Sequence, residues 1–220
     1  MAVRMGGMDK LPGEREAVED SILEVRVALV DSEPGIWRQL ELRSSMTLDE
    51  VHQVLQTVFG WENAHLHRFM TDDPFAPLGP VDGELHDVPQ WLPGQHCEEP
   101  AERPEEESSL DQLLALGGGK AFYEYDFGDS WLHRLELVSR LSAGPSSPAA
   151  RLVAGARRGP LEDSGGIPGY EDIMDASADK SHPDHAEHVA WVAELTGLDA
   201  PFDPAFLDID AVNHALSGRH

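Results

Sequence analysis

The chain is poor in basic residues. Among its 220 residues, 16 are Lys or Arg against 41 Asp or Glu, a net charge of -25. Such a surface repels a phosphate backbone, so direct DNA binding through an electrostatic footprint is disfavoured. There is one cysteine, Cys97. That excludes an intramolecular disulfide and any cysteine-based zinc site. No stretch approaches the roughly 18 consecutive apolar residues of a bilayer span. The first residues lack the apolar run of a secretory signal. The expectation is therefore a soluble, cytoplasmic protein with no membrane partner. Also missing is any G-x-G-x-x-G. The Gly-rich "LGGGKAF" has Leu114 where a P-loop needs its first glycine, and Lys120 is followed by Ala121.

Forty per cent of the residues are hydrophobic, enough for a core in one domain of moderate size. Residues 1–20 are polar and Gly-containing and read as a disordered lead-in. In "SILEVRVALVD", Leu23, Val25, Val27 and Leu29 alternate as in a strand, and "IWRQLEL" follows as its hairpin partner. "TLDEVHQVLQTVFG" is the clearest helix. Thr47 and Glu50 form a capping box, Leu48, Val51, Val54, Leu55, Val58 and Phe59 make an apolar stripe, and Gly60 is a stop. "HLHRFMT" reads as a short strand. Residues 72–107 form an irregular insertion whose "EEPAERPEEE" carries six Glu against one Arg. An α+β core over 21–141, a linker over 142–160 and a helical segment over 161–217 packed on that core complete the expected organisation. The fold class is α+β, an antiparallel sheet with one packed helix and a helical C-terminal tail. Its β-β-α-β opening is β-grasp-like by analogy.

"YEYDFGDSWLHRLEL" contains Asp-Phe-Gly, the triplet that holds magnesium in protein kinases. The other parts of that machinery are missing: a Gly-rich phosphate loop and a His-Arg-Asp triplet. The flanking segments are aromatic and β-favouring, and Gly128, Asp129 and Ser130 are turn formers. The stretch therefore reads as an antiparallel hairpin, with Trp131, His133, Leu135 and Leu137 on one face and Gly128 supplying the turn angle.

The motifs "IWRQLEL", "TLDEVHQVLQTVFGWENAHLHRF", "YEYDFGDSWLHRLEL", "EDSGGIPGYEDIM", "SHPDHAEHVAWV" and "FDPAFLDIDAVNHAL" occur in that order. Together they resemble the plasmid pRiA4b ORF-3-like family, some of whose members carry insertion-element passenger or TnpR-like labels. The resemblance runs from about Val27 to Leu216 and implies a compact α+β fold. It implies no reaction. Where many members have cysteines, this chain has Gly159 and Ser164. A cysteine-dependent metal or redox role thus has no residues here. A serine-recombinase role, suggested by the TnpR label, would need a basic tail, and this tail is acidic.

Two function classes compete. In the first, the protein is a non-enzymatic binding or adaptor module for a protein partner, with a groove formed by Trp37, Trp61, Tyr123, Tyr125, Trp131 and Tyr170. In the second, it is a metal-dependent hydrolase in which His65, His67, Asp126, Asp129 and His133 hold a divalent metal. Imidazole with carboxylate suits zinc, manganese or iron, and His-x-His on a strand puts two imidazoles on one face. The structural alternative is that Asp126, Asp129 and His133 form a hydrogen-bonded cluster at the hairpin end. "PLEDSGGIPGY" is either an anion-binding turn or a rigid connector. His182, His185 and His188 could share a helix face, and Arg151, Arg157 and Arg158 are the one locally basic spot.

Overall fold

A computed structural model describes residues 20–76, 89–197 and 202–218. The elements are, in order, β1 (Ser21–Leu29), β2 (Trp37–Arg43), α1 (Leu48–Phe59), β3 (His67–Met70), β4 (Gln90–Leu92), β5 (Glu102–Pro104), α2 (Leu110–Leu116), β6 (Lys120–Tyr125), β7 (Trp131–Ser142), β8 (Ala150–Ala156), α3 (Gly166–Ala178), α4 (His185–Thr196) and α5 (Ile209–Ser217). The strands make one sheet in the order β5-β4-β3-β6-β7-β1-β2-β8. Every pairing is antiparallel except the edge pair β4–β5. The fold is α+β.

The alternating residues of β1 do what period two requires. Leu23, Val25, Val27 and Leu29 are all buried. On β7, Trp131, His133 and Leu135 share the buried face. The six stripe residues of α1 are buried in the same cluster, at about 1.5–3 kcal/mol of transfer free energy per large apolar side chain. Glu50 accepts a hydrogen bond from the Thr47 backbone N–H at 3.0 Å, and Gly60 ends the helix in the left-handed region at φ 82°.

The structure corrects the element boundaries in three places. The stretch read as a linker, 142–160, contains the end of β7 and all of β8, which closes the sheet beside β2. Its Ser/Gly/Pro composition marks only the turn between the two strands. The acidic insertion carries β4 and β5, a short strand pair continuing the sheet from β3; residues 77–88 of that insertion lie outside the described residues, as do 1–19 of the lead-in. The strand expected from His65 begins at His67, which leaves His65 in the loop before it. The helical tail meets the sheet through α5, whose Asn213 side chain bridges the Leu152 N–H and C=O on β8. Among the described residues no helix is long and apolar enough to cross a membrane.

Candidate metal centre

Three loops converge at one end of the sheet. The first is the Gly60–Leu66 connection from α1 to β3. Polar groups of α1 hold it: Gln56 Oε1 accepts from the Asn63 N–H at 2.7 Å, and His52 Nε2 lies 2.7 Å from Asn63 Oδ1. The Ala64 N–H donates to the Tyr125 hydroxyl at 3.0 Å. These bonds hold the loop that carries His65, two residues ahead of β3.

The second loop is the β6–β7 turn. Asp126 sits in the left-handed region at φ 58°, as does Ser130 at φ 55°. The angle expected of Gly128 is thus adopted by Asp126 and Ser130 instead, residues whose short polar side chains tolerate it. Asp126 Oδ1 closes the turn by accepting from the Gly128 N–H at 2.9 Å. Its other oxygen, Oδ2, faces His65 Nε2 at 3.6 Å.

The third loop is Leu161–Gly165, ahead of α3. Asp129 of the turn anchors it by accepting from the Gly165 N–H at 2.9 Å. Glu162 is buried, and its Oε1 accepts from the Glu62 N–H at 2.7 Å and from the Tyr125 hydroxyl at 3.0 Å. Burial pushes the Tyr125 hydroxyl far above its ordinary range, so it stays protonated and donates. Glu162 Oε2 lies 3.7 Å from His65 Nε2, and Asp163 Oδ1 lies 3.1 Å from it. Despite that short distance, His65 Nε2 is buried without an aligned hydrogen bond among the described residues, and so is Glu162 Oε2. Ligand atoms of His65, Asp126 and Asp163 all fall within 4.8 Å of one another. One imidazole and three carboxylates therefore meet with two buried polar atoms left unpaired.

Of the five expected ligands, the structure brings together His65 and Asp126. Asp129 stands beside them and positions the Glu162 loop. His67 points into the core, where Glu105 lies 2.8 Å from its Nε2 and its ring stacks on His52 at 3.5 Å. The period-two argument assumed that His65 belonged to the strand; it does not, so the two imidazoles part. His133 is fully buried, and its Nδ1 donates to the Trp131 carbonyl at 3.0 Å. Phe59 packs edge-on against its ring at 4.5 Å. Burial pushes its imidazole down to about 4, so it is a neutral core residue, outside the expected Asp126–Asp129–His133 cluster.

The six aromatics of the expected groove are mostly core as well. Trp61, Tyr123, Tyr125, Trp131 and Tyr170 are buried, and Trp37 is half-buried with Arg26 over its ring. Tyr123, Tyr125 and Trp131 are buried on β6 and β7, and Trp61 packs against Tyr125 and Trp131. Glu162 and Asp163 were visible in "PLEDSGG" only as part of a turn. The one hint of their role was two acids preceding a Gly-Gly pair, and nothing local ties them to His65, some hundred residues away. An anion site at that turn has lost a donor, since the Gly165 N–H is taken by Asp129. His182, His185 and His188 do not form a metal-type group among the described residues. His185 Nδ1 donates to the Ala176 carbonyl, and His188 lies 3.8 Å from Asp172.

A crystal structure of a protein of unknown function, MM3350, from Methanosarcina mazei Go1 superposes with a TM-score of 0.71 at 26% identity, covering 87% of this chain and 97% of that one. The uncharacterized protein y4hQ of Sinorhizobium fredii (strain NBRC 101917 / NGR234) is 30% identical over 200 residues, 89% of this chain and 91% of the relative. The family model described as plasmid pRiA4b ORF-3-like protein matches residues 21–211, which include all three loops of the centre; the chain belongs to that family.

Proposed function

We propose that the chain is a metal-dependent hydrolase whose divalent ion is held by His65, Asp126 and Asp163, with Glu162 as the base. The observation that carries this reading is the pair of buried, unpaired atoms, His65 Nε2 and Glu162 Oε2, facing each other at 3.7 Å with two further carboxylate oxygens beside them. Burying such atoms without partners costs about 1–3 kcal/mol each, and a cation removes that cost. Nitrogen and oxygen donors without thiolate suit manganese, iron(II) or zinc. A bound ion would polarise the substrate and acidify water. Glu162 Oε1 is fixed by Tyr125 and Glu62, so Oε2 is the atom free to accept a proton from the attacking water. The same Oε2 then returns the proton to the departing group as the bond to it breaks. A binding or adaptor role would need a surface other than the aromatic set, because five of its six members are buried.

The test uses full-length protein purified without a histidine tag. Metal analysis after equilibration with manganese or zinc should find about one ion per chain, lost on His65→Ala and on Asp126→Asn. Metal at about a hundred times Kd should add about 2.7 kcal/mol of stability to the wild type. Glu162→Gln should keep the ion and lower turnover of chromogenic ester, phosphoester or amide substrates by about 10²–10⁴-fold. Failure to bind metal would reduce the centre to an ion-pair network and end the proposal. Metal binding without hydrolysis of any substrate in the panel would end its catalytic half.

A further inference from the structure

A second feature lies on the other side of Glu162. A cavity of about 400 Å³ opens between the end of α1, the β8–α3 connection and α5. Its apolar lining includes Phe59, Leu161, Phe202 and Phe206. Two arginines, Arg38 and Arg158, also line it, and neither has a carboxylate within 4 Å among the described residues. Two arginines without a carboxylate partner stand out on a chain with a net charge of -25.

The two arginines are held differently. Arg38 is 1% exposed. Its Nε donates to the Val58 carbonyl at 2.6 Å, and its Nη1 donates to the Trp37 and Ala156 carbonyls. These are neutral acceptors, so its charge is solvated by carbonyls and uncompensated. Arg158 is half-buried, and its guanidinium lies over the rings of Phe206 at 4.7 Å and Phe202 at 5.2 Å. Its Nε is buried with no hydrogen-bond partner. Stacking occupies the faces of a guanidinium and leaves its edge, the part that pairs with a planar oxyanion, for something else. Three acids also line the cavity. Asp208 is committed to the start of α5, where it accepts from the Ala211 N–H. Glu162 is turned to the metal centre, and Glu62 is exposed.

We propose that this cavity binds a small amphipathic anion, an aryl or alkyl carboxylate or its phosphate equivalent, with the anionic head on Arg158 and the apolar body against Phe59, Phe202 and Phe206. An unpaired guanidinium edge beside an aromatic wall fits one charged head and one apolar tail, and fits neither a cation nor a large polar ligand. Glu162 belongs both to this wall and to the metal centre, so, resting on the hydrolase reading, the substrate would carry this anionic head and apolar body together with the ester, amide or phosphoester bond that is cut. The binding claim needs no metal, so the two fail separately.

Titration calorimetry with the full chain in chelator tests it. The probes are 2-naphthoate, 2-naphthylmethanol and 2-naphthylmethylamine, with naphthyl phosphate as a second anion. The carboxylate and the phosphate should bind saturably, about tenfold or more tighter than the alcohol, and the amine should bind most weakly. Arg158→Gln should erase the preference for the anions while leaving the alcohol within about twofold, and Arg158→Lys should keep part of it. Phe206→Ala should weaken anion and alcohol together. Equal binding of alcohol and carboxylate, a preference that survives Arg158→Gln, or no saturable binding of any probe would overturn the proposal. A wild-type-like melting temperature for Arg158→Gln separates loss of charge from loss of fold.

Discussion

Gly166, the first residue of α3, packs against the hairpin turn beside the Glu162 loop, and replacing it with alanine should push the two apart. Its φ is +69°, and a Cβ there would lie 2.7 Å from the Asp129 carbonyl oxygen, which is backbone and cannot swing aside. Two costs combine. A non-glycine residue in the left-handed region costs about 1–2 kcal/mol. Relief of the clash pushes the loop from the turn and strains the hydrogen bond from the Gly165 N–H to the Asp129 carboxylate at 2.9 Å, worth about 1.5–3 kcal/mol as a charged-acceptor bond. Gly166→Ala should therefore lower stability by about 2.5–5 kcal/mol, on these two principles together. Gly165→Ala is the internal control. Its φ is +83°, but its Cβ would meet nothing nearer than the Gly169 Cα at 3.6 Å, so only the backbone term of about 1–2 kcal/mol applies. Urea unfolding of the three proteins at one pH measures the difference. Because the displaced loop carries Glu162 and Asp163, the first variant should also lose metal affinity by a larger factor than the second. Equal costs for the two substitutions, or a Gly166→Ala variant as stable as wild type, would refute the account of this contact.

Two further outcomes follow from groups elsewhere in the molecule. His133 should remain a neutral Nδ1–H tautomer by imidazole ¹⁵N resonances down to about pH 5. Its pKa falls from 6.5 unfolded to about 4 folded, so the unfolded chain binds the extra proton, and up to about 3 kcal/mol of stability is lost as pH drops through that window; a ring that titrates near 6.5 would show that it is not buried. Duplex DNA added at moderate salt to micromolar protein should give no anisotropy change, since the net charge is -25, and tight, salt-sensitive binding would contradict that reading of the charge.

Much of the fold was legible in the chain because its signals are local. The stripe on α1, its capping box and the alternation in β1 and β7 each repeat within a dozen residues, and burial follows from them directly. The hairpin at Asp126–Ser130 could also be read, though not which of its residues takes the left-handed angle. β8 escaped because its Ala- and Gly-rich sequence, "ARLVAGA", carries little periodicity and is a strand chiefly because β2 offers it an edge.

The centre divides in the same way. Sequence alone singled out His65 through its His-x-His spacing and Asp126 through its place at a predicted turn, since both are visible as letters. It could not exclude His67 and His133, because a histidine ligand and a core histidine look alike until their neighbours are known. It could not add Glu162, because that residue reaches His65 only when the sheet places β3, β6 and the segment after β8 at one end. Which side chains share a face is a property of a single helix or strand and is set by its period. Which loops meet is a property of strand order and register, decided by how the whole sheet buries its apolar face.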